Sequence, residues 1–268
     1  MSGDEQPIKT LDRVISKAGV GSRTEARSWI GTGRVKVNGR LVQTPDYWVD
    51  LQRDVVTLDD KPVRAGRRIY LALYKPKGYI TSYGDPEGRA TVYDLIAGLG
   101  EFVVPVGRLD QDSSGLLLMT NDTAFAEFVM NPANEVPKTY LVKAATLLSE
   151  EQLEQLQRGV ELDDGPTKPA EVRRVRDSEK RTFLELTIRE GRFREVRRML
   201  DAVGSRALKL VRTAVGPLEI GGLQIGRYRE LTQEEVRLLM PAHRKAVRSK
   251  KSASKKVKPH DPSTTATS

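Results

Sequence analysis

The chain contains no cysteine and only two histidines, His243 and His260, among its 268 residues. Without cysteine there are no disulfides, zinc fingers, iron–sulfur clusters or thiol nucleophiles. With both histidines near the C-terminus, a histidine metal site and a Ser-His-Asp triad are equally disfavoured. No apolar run approaches the ~18 residues that a membrane helix requires. The opening MSGDEQPIKT has neither the charged n-region nor the apolar h-region of a signal peptide. These absences lead to the expectation of a soluble, cytoplasmic protein with no membrane partner. Its length suits one large domain or two unequal ones.

What the chain does carry is positive charge, unevenly spread. The formal balance is +9. From residue 241 to 268, eight lysines or arginines face one aspartate, whereas 66–240 is neutral overall. The segment 241–268 is Lys/Ser-rich and lacks periodicity, which predicts a disordered basic tail, an electrostatic arm for a polyanion. Inside the neutral body, REGRFREVRR (residues 189–198) places five arginines and no lysine in ten residues. That composition points to planar recognition of phosphate or carboxylate. Val196, Met199, Leu200 and Val203 recur on one helix face, and Gly204 supplies the stop. Arg194, Arg197 and Arg198 then share the opposite face.

The first sixty residues read as a small separate unit. Leu11, Val14, Ile15 and Ala18 form one helical stripe, broken at Gly19-Val20-Gly21. Ser22 followed by Glu25 is a capping-box start for a second helix running to about Thr32. RVKVNGRLV then reads as a strand, an Asn38-Gly39 turn and a return strand. Lys17, Arg23, Arg27, Arg34 and Lys36 decorate this unit. It resembles the alpha-L RNA-binding motif of a small-subunit ribosomal protein, and the resemblance makes those five cations its candidate RNA contacts. DKPVRAGRR reads as a linker.

Beyond it, VVPVGRLDQDSSGLLLMTND (Val103 to Asp122) presents an acid at the end of an apolar strand, followed by a polar turn and a buried strand. Asn121 or Asp122 can cap the helix that follows. An acid so flanked suits a rigid catalytic carboxylate. Asp110-x-Asp112-x-Ser114-Gly115 superficially copies a calcium loop, but its twelfth position is Asn121 and its flanks are strands. Asp110 and Asp112 alternate on one loop, which rarely lets two carboxylates straddle a sugar.

GRLDQDSSGLLLMTND resembles the catalytic signature of bacterial ribosomal RNA pseudouridine synthases, in the branch that carries an alpha-L module. LYKPKGYITS, DPEGRATVYDLI, KTYLVKA, EGRFREVRRMLDAVG and GRYRELTQEEV resemble the remaining motifs of that family in order, over Leu11 to Leu239. Phe193 departs from the Asn or Tyr that many relatives carry. The wording of DPEGRATV and GRYRELT is closer to the large-subunit branch. The resemblance implies an α+β chain: a small N-terminal alpha-L module (9–60), a linker (61–69), a catalytic domain on a largely antiparallel sheet (70–240) and the basic tail (241–268).

It further implies isomerisation of uridine to pseudouridine in ribosomal RNA by a monomer needing neither metal nor organic cofactor. Asp110 is the implied initiating carboxylate. Because a dry pocket favours the protonated acid, a fixed guanidinium is needed nearby, and the arginine motif assigns that to Arg197. Tyr140 is implied to stack on the flipped base and to take the C5 proton, although its reference pKa of ~10 makes it a poor base unless tuned. Extruding a base costs a few kcal/mol. Arg108, two residues before Asp110, would share its face of a strand and fill the vacated gap. Arg194 is expected on RNA. The alternative from another class is a non-catalytic RNA-binding ribosome-assembly factor, against which the joint presence of Asp110, Tyr140 and Arg197 argues.

The tail generates a prediction of its own. Each phosphate neutralised contributes roughly 0.7–0.9 to the slope of log affinity against log salt. Truncation after Leu239 should flatten that slope by about 2–3 units while leaving the modified uridine unchanged. Binding titrations at several salt concentrations and product mapping of both chains check it; a shifted product site would overturn it.

Overall fold

The computed structural model describes residues 8–64 and 66–240; the expected tail, 241–268, lies outside the described residues. The N-terminal unit begins with strand β1 (Ile8–Thr10) and helices α1 (Leu11–Lys17) and α2 (Arg23–Gly31). The capping box forms as the sequence predicts. Ser22 Oγ accepts from the Glu25 amide, and the Glu25 carboxylate accepts from the Ser22 amide. Strands β2 (Val35–Val37) and β3 (Arg40–Leu41) flank Asn38 and Gly39, whose φ angles of 51° and 79° are those a type I′ hairpin turn requires.

Strands β4 (Trp48–Asp50), β5 (Val56–Leu58) and β6 (Lys61–Pro62) complete the unit. Its small sheet runs β3-β2-β5-β6, with β1 paired to β4 alongside. Leu11, Ile15, Ala26, Ile30, Val35 and Val49 are fully buried between helices and strands. Lys61 and Pro62 pair with β5, so the stretch expected as a linker starts as part of this sheet.

The larger body contains β7 (Tyr70–Lys75), β8 (Val104–Val106), β9 (Ser114–Thr120), α3 (Thr123–Met130) and β10 (Lys138–Ala144). Helix α4 (Glu150–Arg158), β11 (Glu161–Leu162), β12 (Gly165–Pro166), β13 (Glu171–Ser178) and β14 (Arg181–Ile188) follow. Then come α5 (Glu195–Ala202), β15 (Ala207–Val215), β16 (Leu218–Glu219), β17 (Tyr228–Glu230) and α6 (Gln233–Leu239). The central sheet runs β13-β14-β10-β15-β9-β7-β17, with β8 on β9 and β16 on β15. It is antiparallel except where β15 meets β9, which matches the expected α+β class. Helices α4 and α5 cover one face of the β14-β10-β15 half, while α3 and α6 pack with the β9 and β7 half. No helix among the described residues is long and apolar enough to cross a membrane.

Two local features set up the site. Strand β8 ends at Val106, and Gly107 at φ 76° turns the chain out of the sheet. Arg108 and Asp110 therefore stand on a loop, and the strand alternation expected to bring them to one face does not apply. The second feature is the close approach of β9 to β15, where Gly115 lies opposite Arg212. A Cβ at Gly115 would sit 2.3 Å from the Arg212 carbonyl oxygen, and the backbone there has φ 115°. Only glycine fits both demands.

Gly115→Ala should therefore destabilise the fold by at least about 2–3 kcal/mol through strain and overlap. In a chain of this size that reads as a fall in Tm of roughly 5–10 °C. A thermal melt unchanged from the parent would show that β9 and β15 can separate without penalty.

Candidate active site

The loop from Leu109 to Ser113 is pinned at every carbonyl. Thr81 Oγ1 donates to Leu109 O at 2.8 Å and also accepts from the Leu109 amide. The Gly78 amide donates to Gln111 O at 2.7 Å. Arg197 Nη2 donates to Asp112 O at 3.1 Å. The last two carbonyls, Asp110 O at 2.9 Å and Ser113 O at 2.8 Å, accept from the Lys75 ammonium, which also donates to Pro76 O at 3.1 Å. Three protons thus meet three carbonyl oxygens. Lys75 is fully buried, and this desolvation lowers its pKa to about 8, although the charges of Asp110 and Asp112 oppose the fall. It remains an ammonium at neutral pH.

The side chains of this loop meet the start of α5. Arg194 is bidentate on Asp112, with nitrogen–oxygen distances of 3.1 and 3.2 Å. Arg197 Nη2 reaches the same carboxylate at 3.1 Å and Ser113 Oγ at 3.2 Å, while its Nη1 donates to Ala207 O. Burial pushes the Asp112 carboxyl up, but the Arg194 hydrogen bonds and the charges of Arg197 and Arg194 outweigh it and hold the pKa low. Asp110 is treated differently. Its Oδ2 lies 3.4 Å from Arg194 Nη1 and 3.9 Å from Arg197 Nε, inside the field of both guanidiniums. Arg197 Nε is itself buried without a hydrogen-bond partner among the described residues. Both arginines reach Asp110, and Arg194, expected on RNA, is the nearer.

Asp110 opens onto a cavity of about 290 Å³ whose wall includes Arg108, Tyr140, Lys138, Glu195, Val196 and Arg212. Tyr140 is buried on β10, directly opposite Arg212 on β15, so the register of two central strands fixes both. Arg108 is exposed at the rim and has no carboxylate within ion-pair distance among the described residues. Arg212 donates from Nε to Leu116 O at 2.7 Å, and its buried Nη2 has no partner among the described residues. Burial also lowers the Lys138 ammonium, helped by the charge of Arg212 and opposed by that of Glu195. Glu195 is buried, accepts from the Arg192 amide at 2.8 Å, and is pushed by burial to a pKa of about 7. Glu190 takes the complementary share: burial pushes its carboxyl up, but hydrogen bonds from the Lys168 amide and Glu195 and the charge of Arg192 bring it below the usual range.

Sequence reasoning gathers Asp110, Tyr140, Arg197 and Arg108; three of them line this cavity, and Arg197 contacts the Asp110 loop without being part of the cavity wall. The same reasoning missed Lys75, Ser113, Glu195 and Arg212. A lone arginine in the apolar strand ALKLVRTAV was a readable signal for Arg212; Lys75 had no signal beyond the Lys-Pro turn. The other arginines of the α5 segment are occupied by carboxylates of the chain: Arg189 by Glu171, Arg192 by Glu190 and Asp164, and Arg198 by Asp164.

In the N-terminal unit, Arg23 and Arg27 converge on the buried carboxylate of Asp12 at 2.8 and 3.0 Å. Arg34 pairs with Asp59 and Lys36 with Asp60, and Lys17 closes α1. Apart from Asp12, the partners are exposed, and exposed pairs are weak enough for a phosphate to displace.

Comparison with known proteins sets this geometry in context. The RNA pseudouridylate synthase family matches residues 69–202, and the S4 domain family matches residues 9–56. An RNA pseudouridine synthase of Aquifex aeolicus is 41% identical over 233 residues, covering 87% of this chain and 94% of that protein. The ribosomal large subunit pseudouridine synthase B of Bacillus subtilis is 41% identical over 234 residues, covering 87% and 96%. A crystal structure of a pseudouridylate synthase, 31% identical, superposes with a TM-score of 0.62 over 87% of this chain and all of the other. With an S4 unit ahead of it and this sheet behind the cavity, the chain belongs to the RNA pseudouridylate synthase family.

Proposed function

We propose that this chain converts uridine to pseudouridine at a specific position of ribosomal RNA, in the large subunit. One observation carries the chemistry: Asp110 faces the cavity with two guanidiniums at 3.4 and 3.9 Å and no tight salt bridge of its own. The reaction cuts the C1′–N1 bond, turns the base and rejoins it through C5, with no net exchange of atoms or electrons. Attack on the sugar and removal of a sugar proton to give a glycal both need an ionised carboxylate that is free to engage substrate. Arg194 and Arg197 set positive charge beside Asp110, while Asp112 absorbs their hydrogen bonds. Tyr140 stacks on the extruded base, and its phenolic oxygen, passing its own proton to water, receives the C5 proton. Arg108, unpaired at the rim, fills the gap in the RNA stack.

Ribosomal RNA as substrate, and the large subunit in particular, is supported by the name of the Bacillus subtilis relative. Lys17, Arg23, Arg27, Arg34 and Lys36 of the N-terminal unit grip the phosphates and choose the docking site.

Asp110→Asn should fold, bind RNA and yield no pseudouridine. Asp112→Asn should keep Asp110 but loosen Arg194 and Arg197, so turnover should fall on the order of tenfold, the scale of one charge-assisted hydrogen bond. Single-turnover assays on a ribosomal RNA fragment compare the two. An active Asp110→Asn enzyme would sink the mechanism, and activity of the parent chain should survive a chelator.

The raised carboxyl of Glu195 gives a stability prediction. Between about pH 4.5 and 7 the folded chain keeps a proton that the unfolded chain has released. Stability therefore falls as pH rises through that window. Glu195→Gln, neutral at every pH, should melt near the parent at pH 5 and above it at pH 8. Equal differences at both pH values would show that the carboxyl is already ionised at pH 5.

A further inference from the structure

Strands β14, β10 and β15 present two faces, and only one of them is spoken for. Tyr140, Val142, Leu184, Leu186 and Leu210 point toward α4, α5 and the cavity. The alternate positions carry Leu141, Lys143, Arg181, Phe183 and Lys209, all exposed or half-buried and outside the core clusters. Across this second face the register aligns four side chains in one row. Arg176 on β13 is opposite Phe183, Phe183 is opposite Lys143, and Lys143 is opposite Lys209. Three steps between neighbouring strands make the row about 14 Å long.

The row is built at a cost to the fold. Like charges placed directly opposite on a sheet destabilise it, and Lys143 faces Lys209 with no acid between them. Phe183 serves as a shared anchor, with the Arg176 guanidinium 3.8 Å from its ring centroid and the Lys143 ammonium 5.5 Å away. Lys143, Arg176, Arg181 and Lys209 have no carboxylate within ion-pair distance among the described residues. That contrasts with the five arginines of the α5 segment, each taken up by an acid. Glu185, two residues from Phe183 on β14, is occupied by Arg173 at 3.0 Å.

We propose that this outer face is a second RNA-binding surface, which holds backbone phosphates of a segment remote from the target uridine. It rests on the reading of the chain as an RNA-modifying enzyme, but not on the chemistry of Asp110. A polyanion is the occupant that an aligned, unneutralised row of cations fits. Phosphate contact also needs no base-reading donors, and the row offers none beyond its charges. The sheet thus works on both sides: Tyr140 and Arg212 reach the base, while Lys143 and Lys209, three residues along each strand, clamp RNA that wraps around the edge.

The test uses the full chain and the variant Lys143→Gln/Lys209→Gln, with Arg176→Gln as a second, independent change. Each is titrated at several salt concentrations with a short hairpin bearing the target uridine and with a long ribosomal RNA transcript containing it. For the long transcript, the double variant should lose about 1.4–1.8 from the slope of log affinity against log salt, two contacts' worth. Hairpin affinity and saturated turnover should be unchanged. The melting temperature should equal or exceed the parent's, because a repulsive pair has been removed. Arg176→Gln should lower the long-transcript slope by about 0.7–0.9.

An unchanged slope on the long transcript, with an active parent, overturns the outer surface and leaves the catalytic reading standing. The same holds if the variants keep RNA binding but lose an acidic protein partner. A parent that neither binds nor modifies either RNA overturns both. Equal losses on hairpin and transcript would mean that the face acts through the cleft, and the proposal would fail.

Discussion

The buried ammonium of Lys75 is the constraint on which the rest of the site depends. A charge taken out of water must be met by enough acceptors to replace its hydration. Here those acceptors are the carbonyls of Pro76, Asp110 and Ser113. Because two of them bracket the polar turn, satisfying the lysine fixes where Asp110 stands. Strand β7, which delivers Lys75, pairs with β9 along its whole length, so the loop is referenced to the centre of the sheet. Thr81 and Gly78, from the turn after β7, hold two further carbonyls. A flexible loop thereby acquires the rigidity of the sheet beneath it.

Two neighbouring aspartates then take different parts through their distances alone. Asp112 accepts the hydrogen bonds of Arg194 and Arg197, while Asp110 feels their charge from slightly farther away. A carboxylate locked in a bidentate bridge would be stabilised but occupied. One held at the edge of the same field keeps its oxygens available.

Cations elsewhere on the chain follow a similar economy. In the N-terminal unit, Arg23 and Arg27 share one buried carboxylate, which fixes their direction while leaving them partly exposed. Pre-orienting a guanidinium on its own chain reduces the entropy lost when it meets phosphate. The outer face of the sheet uses another anchor, the Phe183 ring beneath Arg176 and Lys143.

The sequence by itself determined the elements whose physics is local. The capping box at Ser22 and Glu25, the Asn38-Gly39 turn, the apolar strands and the amphipathic α5 follow from short-range chemistry that any fold must respect. The motif residues Asp110, Tyr140 and Arg197 were legible too, through their resemblance to a known signature. The tertiary structure alone decided which cation serves which acid. Arg194 stands left-handed at the N-cap of α5 and Arg197 in its first turn, and both face the loop only because α5 packs where it does. The strand expected through Arg108 and Asp110 gave way to a loop because Gly107 adopts a left-handed conformation. Lys75 reads in sequence as a surface lysine beside a proline. Its burial depends on carbonyls more than thirty residues away, and Arg212 likewise meets Tyr140 only through strand register. Long-range pairing of this kind leaves no periodic trace in the chain, so only the folded sheet reveals it.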